Sequence, residues 1–225
     1  LTVTQAAALT TTQLRSLSTG DIGEFAATQV AAFTATQVQG LSEENVTSLT
    51  ETQVAALTTA QIQALNATNF AALGDTQVAA LSGAQIAAMT TTQIAALDTD
   101  DMAEFTDGQV AALTSTQLNA LSATNFAAFS ETQLAALTVT QLASVNTTKI
   151  AALNETQVAG LTAAQVGALS TSQLRAFSNE NLSALDATHI AALSDTQLRG
   201  LTATQIASLE AGDFAEFSAG QIAAL

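Results

Sequence analysis

Large apolar residues recur along the chain in a pattern of eight positions, which we label a to h. A clean copy is Leu-Thr-Glu-Thr-Gln-Val-Ala-Ala at residues 49–56, where a is Leu, b is Thr, e is Gln and f is Val. The next copy begins at Leu57, and the register holds from Leu1 to Leu225 without an inserted or lost residue. The chain is therefore built from about 28 octads.

Each octad contains the signals that begin a helix. Position b is Thr, Ser, Asn or Asp in all but three copies, and these residues accept hydrogen bonds from the first amides of a helix. Gln at e follows three residues later, so b and e form a capping box, with a and f placed to form a hydrophobic staple. We predict that Thr50 with Gln53, and Thr202 with Gln205, cap helix starts.

The predicted helix is short, because the next cap arrives eight residues later. About six residues remain from c to h, a rise of about 9 Å, and such a helix is unstable alone in water. Stacked octads must supply the stability, as in a solenoid. The core is predicted at positions a and f, for example Leu49, Val54, Leu57, Leu201 and Ile206. The sequence thus predicts an all-α solenoid of about 28 short single-helix octapeptide repeats.

Two other folds compete with this prediction. In one continuous helix the octad would rotate by about 80° per copy, so its apolar stripe would face no constant side. A β-solenoid is the stronger alternative, because Thr, Val and Ile favour strands. Against it, apolar and polar residues do not alternate, and the chain has no Pro and no Asn-Gly corner.

Domain organisation follows from the unbroken register. No linker rich in Pro, Gly or Ser interrupts the octads. We predict a single continuous repeat array over residues 1–225. Since the chain starts and stops at position a without polar capping repeats, we expect it to be a segment of a longer protein.

The charge is strongly acidic, with 19 Asp and Glu against 4 Lys and Arg and a net charge of −15. Such a surface repels phosphate backbones, so nucleic acid is not an expected partner. No apolar run reaches the roughly 20 residues of a membrane span, so we predict no membrane insertion. The absence of cysteine excludes disulfides and thiolate chemistry.

Candidate chemistry is sparse. No set of unlike residues suggests a catalytic site, and we predict that the protein is not an enzyme. The single histidine, His189, occupies the e slot and is interpreted as a surface substitution. Five carboxylates lie within ten residues, and calcium prefers oxygen ligands of this kind, although the spacing matches no EF-hand. They are weak candidates for a calcium site, the one cofactor considered: Asp98, Asp100, Asp101, Glu104 and Asp107.

Two resemblances bear on function. The phrase Leu-Thr-x-x-Gln-Val-x-Ala-Leu at residues 49–57 resembles the opening helix of the repeats in TAL effectors, which are DNA-binding α-solenoids. The second helix, the base-reading loop and the basic charge of those repeats are missing, so DNA binding is not implied. The threonine- and alanine-rich octads also resemble repeat regions of very long bacterial surface or secreted proteins, where arrays act as stalks, spacers or fibre subunits.

The functional expectation combines these points. We predict a rigid extracellular or cell-surface bacterial stalk, or the repeating body of a filament, whose partners are further copies of itself or neighbouring domains of the parent chain. The alternative is a calcium-, glycan- or ice-binding solenoid module of a bacterial adhesin, which would use the acidic clusters or the Thr-x-Thr positions.

Overall fold

Every octad forms one short helix that begins at position c. The computed structural model describes residues 1–209, 211–223 and 225, with the side chain of residue 213 excepted. Within these residues there are 28 helices of four to six residues and no strands. The predicted all-α solenoid is confirmed, and the β-solenoid alternative is wrong for the described chain.

The chain divides into two compact units, Leu1–Leu113 and Thr114–Leu225. The helices of the first unit are α1 Val3–Ala7, α2 Thr11–Arg15, α3 Thr19–Gly23, α4 Ala27–Val30, α5 Ala35–Gln39, α6 Glu43–Thr47, α7 Glu51–Ala55, α8 Thr59–Ala64, α9 Ala67–Ala71, α10 Asp75–Ala79, α11 Gly83–Ala88, α12 Thr91–Ala96, α13 Thr99–Glu104 and α14 Asp107–Ala112.

The helices of the second unit are α15 Ser115–Ala120, α16 Ala123–Ala127, α17 Glu131–Ala136, α18 Val139–Ser144, α19 Thr147–Ile150, α20 Glu155–Ala159, α21 Ala163–Gly167, α22 Thr171–Leu174, α23 Asn179–Ser183, α24 Ala187–Ala192, α25 Asp195–Leu198, α26 Ala203–Ser208, α27 Ala211–Ala215 and α28 Ala219–Ile222. The octad register continues across the two units in sequence, and a single continuous array remains a prediction.

The links between helices need no glycine. Ala56, the residue after α7, is in a right-handed conformation (φ −83°, ψ −10°), and extended residues such as Thr50 (φ −72°, ψ 159°) precede the helices whose first caps are described. No described residue has a positive φ. The left-handed glycine that ends many helices is therefore not required here, which explains why the octads have no fixed Gly or Pro.

Helices stack on their third neighbours. From α1 to α14, and again from α15 to α26, each helix packs against the helix three places later in its unit. The start of α7 is also hydrogen-bonded to the end of α3, four helices earlier. One turn of each solenoid therefore takes between three and four octads.

The core of each unit is lined by positions a and f. Leu49, Val54 and Leu57 are buried, and so is Leu201. Ile206 is only half-buried, because no helix of a following turn covers α26 within the described residues. A side chain at f thus depends on the following turn for its burial, whereas Leu14 and Ile22 in the first three octads are already fully buried.

Candidate functional site

The capping residues lie at helix starts as pairs. Thr50 Oγ1 accepts a hydrogen bond from the Gln53 amide at 3.3 Å, and Gln53 Oε1 accepts one from the Thr50 amide at 2.6 Å. Thr202 and Gln205 make the same two bonds at 3.1 and 3.0 Å. Each pair satisfies two amides that an isolated helix start leaves without partners.

Two octads without a side-chain acceptor at b keep half of this arrangement. At Ala26 and Gly74 the amide at b still donates to the glutamine at e, with Ala26 N to Gln29 Oε1 at 2.6 Å and Gly74 N to Gln77 Oε1 at 2.9 Å. The residue at e therefore supplies its half of the cap independently of the residue at b.

The glutamine at e also makes bonds between turns. Gln53 is 1% exposed, and its Nε2 donates to Ile22 O at 2.9 Å and to Phe25 O at 2.7 Å. These carbonyls lie 31 and 28 residues upstream, at the end of α3 and just beyond it. Because the last carbonyls of a helix lack intrahelical partners, one amide group satisfies the start of its own helix and the end of another.

This contact recurs through both units, and we call it the amide ladder. It consists of side-chain Nε2 groups at e that donate to the carbonyls 28 and 31 residues upstream. Further examples are Gln61 to Val30 and Phe33, Gln93 to Ile62 and Leu65, Gln165 to Leu134 and Leu137, and Gln205 to Leu174 and Phe177. The ladder is the most regular arrangement of buried polar side chains in either unit.

Substituted e positions keep a donor where the chemistry allows it. Asn69 Nδ2 donates to Leu41 O at 2.9 Å. Lys149 Nζ donates to Asn119 O at 3.1 Å, and burial lowers the pKa of this lysine. Glutamine, asparagine and lysine thus enter the same slot. Asparagine and lysine each make only some of the hydrogen bonds that glutamine makes there.

His189 corrects the sequence interpretation. It is not a surface residue, since it is 6% exposed and its Nε2 lies 2.6 Å from Leu161 O, 28 residues upstream. Its Nδ1 lies 3.2 Å from the Asp186 amide and completes the cap. The imidazole therefore stands in for glutamine, with one nitrogen used in the cap and the other in the ladder.

Two of the five acidic candidates near α13, Asp98 and Asp101, are engaged in capping. Asp98 Oδ1 accepts from the amides of Asp100 and Asp101 at 2.9 and 3.1 Å, and Asp101 Oδ2 accepts from the Asp98 amide at 2.7 Å. Burial raises the pKa of Asp101. Asp107 lies in the first turn of α14. Carboxylates at helix starts are favoured by the partial positive charge of the helix dipole.

Glu104 differs from the others because it ends α13. Its Oε2 atom is shielded from solvent, and no N–H or hydroxyl donor reaches it. Burial, followed by a hydrogen bond to the Asp75 side chain and the negative charges around it, raises the pKa of Glu104 to about 7. Among the described residues, no group of three or more His, Asp or Glu could hold a metal ion. Calcium binding stays a prediction.

The amide ladder is the feature that sequence reasoning missed. The sequence contains one signal of the ladder. A capping box accepts Glu as readily as Gln at the third residue of the helix, which is position e in each octad. Across all copies, position e holds Gln, Asn, Asp, Lys or His but never Glu. A strong preference for amides over Glu indicates that the slot needs a donor as well as an acceptor.

Comparison with known proteins agrees with the repeat structure. No helix in the described part of the chain has both the length and the apolar character needed to cross a membrane. No curated protein matches the chain. The family model of the ALTTAQ repeat matches residues 51–83, 77–107 and 84–115. Residues 51–115 are thus similar to the ALTTAQ repeat, in agreement with the octads predicted there.

Proposed function

We propose that this chain is a structural spacer, which acts either as a rigid stalk or as the repeating body of a filament. The observation that supports the proposal most is the amide ladder. In the described octads, most side chains at a and f lie in the core, and the glutamine at e serves both the cap and the ladder, so these recurring positions serve the fold. The threonine that recurs at d is exposed, as in Thr36 and Thr52, and it forms the row that the ligand-binding alternative would use.

The remaining expectations complete the proposal. We infer that the protein is not an enzyme, because in the described part of the chain the recurring buried amides bond to backbone groups of neighbouring helices and do not converge on a shared pocket. The net charge of −15 keeps a repetitive chain soluble and disfavours nucleic acid. An extracellular or bacterial cell-surface location, with self-association or neighbouring domains as partners, belongs to the same proposal.

The spacer role is tested by lengthening the chain. A second copy of residues 41–96, which are seven octads, is inserted in register after Ala96. Because a turn takes between three and four octads, the insertion adds about two turns. Packed helices lie roughly 8–10 Å apart, so the maximum dimension from small-angle X-ray scattering should grow by about 20 Å.

A scrambled insert of the same composition is the control, since it should add disordered chain and no defined length. An unchanged maximum dimension for the in-register insert would overturn the spacer proposal. Electron microscopy at high protein concentration then separates the two forms of the proposal. Regular polymers indicate the body of a filament, whereas isolated particles indicate a stalk.

A further inference from the structure

Position h of one octad faces position c of the third octad before it, across consecutive turns. A Cβ atom built on Gly83, at position c, would lie 3.1 Å from the Cβ atom of Ala112, at position h. A Cβ atom on Gly160, at h, would lie 2.7 Å from the Cβ atom of Glu131, at c. The same relation joins Gly40 to Thr11. The side chains at c and h therefore contact each other between turns.

Glu104 and Asp75 are the pair in which this relation brings two acids together. Glu104 occupies h, Asp75 occupies c of the third octad before it, and α13 packs against α10. Glutamate stands at h in only two other octads. Among the described residues, no position c lies three octads before Glu24, and the partner of Glu216 would be Ala187. The acid pair is therefore particular to the contact between α10 and α13.

The surroundings of this pair supply no positive charge and few donors. The charged groups that act on Glu104 are Asp75 from α10 and Asp98 and Asp101 from α13 and its cap, all of them acidic. Asp101 also occupies the e slot of its octad, and an ionised carboxylate cannot donate to a carbonyl of the previous turn. Helix α13 therefore lacks the side-chain donor through which glutamine joins other helices to the previous turn.

Two carboxyl groups can form a hydrogen bond only if a proton lies between them. Asp75 acts on the Glu104 carboxyl across the contact between α10 and α13, and no N–H or hydroxyl donor reaches Glu104 Oε2. We propose that Glu104 and Asp75 share one proton and act as a pH-sensitive latch between two consecutive turns of the first unit. With the proton present, the pair joins α10 to α13, and without it two negative charges face each other.

The direction of the pH effect follows from the pKa of Glu104, which burial and then Asp75 raise from 4.5 to about 7. The folded state binds this proton more tightly than the unfolded state does. The contribution of the latch to stability is therefore complete below the unfolded pKa of 4.5 and is lost as the pH rises through about 7. The turns around α10 and α13 should be held more firmly in mildly acidic solution.

The first test follows the side-chain carboxyl of Glu104 by ¹³C NMR in the full chain. Its titration midpoint should lie near 7, and Asp75→Asn should lower it, because an amide can donate to the ionised Glu104 and carries no charge. A midpoint near 4.5 in the unaltered protein would overturn the proposal. If calcium in place of a chelator shifts the midpoint downwards, the pair is a cation site and the latch is also overturned.

The second test uses Glu104→Gln, whose amide keeps a donor for Asp75 at every pH. This variant should be more stable than the unaltered protein at pH 8, and the protection of the α10 and α13 amides from hydrogen exchange should no longer fall between pH 5 and pH 8. Glu24→Gln, at the same octad position but exposed, is the matched control and should follow the unaltered protein. Equal pH dependence in both variants would refute the latch.

Discussion

Replacing Gln53 by Ala tests whether the residue at e acts between turns or only as a cap. The substitution removes the acceptor for the Thr50 amide and the donor for Phe25 O. Ile22 O loses one bond but keeps the Phe25 amide at 3.3 Å. The Thr50 amide and Phe25 O are thus left without a partner, and Gly23 O also loses a longer bond of 3.4 Å, beside a glutamine that is 1% exposed.

The expected cost follows from these two groups. An unsatisfied buried donor or acceptor costs about 1–3 kcal/mol, so Gln53→Ala should lower the free energy of unfolding by about 2–6 kcal/mol. A cap alone is worth about 1 kcal/mol, which is also the loss expected for Thr50→Ala, since Thr50 is exposed. The loss of unfolding free energy predicted for a role between turns therefore exceeds the loss predicted for a cap alone by more than the error of a urea unfolding measurement.

The chain offers a matched control in Gln13, which is exposed and accepts from Thr10 as a cap. Among the described residues its side chain bonds only to Thr10, so in this chain Gln13→Ala should cost only about 1 kcal/mol. Urea unfolding followed by far-UV circular dichroism gives the total losses, and hydrogen exchange of α3 and α7 locates them. Equal losses for Gln53→Ala and Gln13→Ala would refute the inter-turn role.

Four further outcomes are expected. Gly200→Ala should cost about 1–3 kcal/mol in urea unfolding, because its Cβ atom would overlap Thr171 Cγ2. Gly108→Ala, with nothing within 4 Å, should instead stabilise α14 by about 0.5 kcal/mol, and a loss there would contradict this. Lys149→Gln should add about 1 kcal/mol by accepting from the amide at position 146. In the unaltered protein, burial lowers the pKa of Lys149, so stability should increase as the pH rises towards 10.5. Lys149→Gln should abolish this increase, and thermal unfolding at pH 8 and pH 10 checks this. Calcium in place of a chelator should leave the unfolding midpoint unchanged, and a rise would support the calcium alternative.

Much of the fold could be predicted because its signals are local. The cap at Thr50, its partner Gln53 and the apolar residues Leu49 and Val54 all lie within six consecutive residues. Their agreement on one helix start was therefore visible without knowledge of any distant contact. The short helix and the core positions follow from the same local stretch.

The inter-turn contacts could not be predicted in this way. From the sequence alone, His189 resembles a surface substitution, because it is a polar residue in a slot shared with glutamine. Its burial depends on Leu161, 28 residues away. The meeting of Glu104 with Asp75 depends in the same way on a separation of about three octads, which no single octad contains.

The sequence by itself determined that each octad begins a helix at c, that a and f form the core, and that b and e cap. These features depend on backbone and side-chain groups a few residues apart. Tertiary structure alone decided that a turn takes between three and four octads, so that e faces the carbonyls 28 and 31 residues upstream and h faces c. The physical reason is that the angle between successive helices accumulates over several octads. A small change in each link would place a different residue opposite every buried amide.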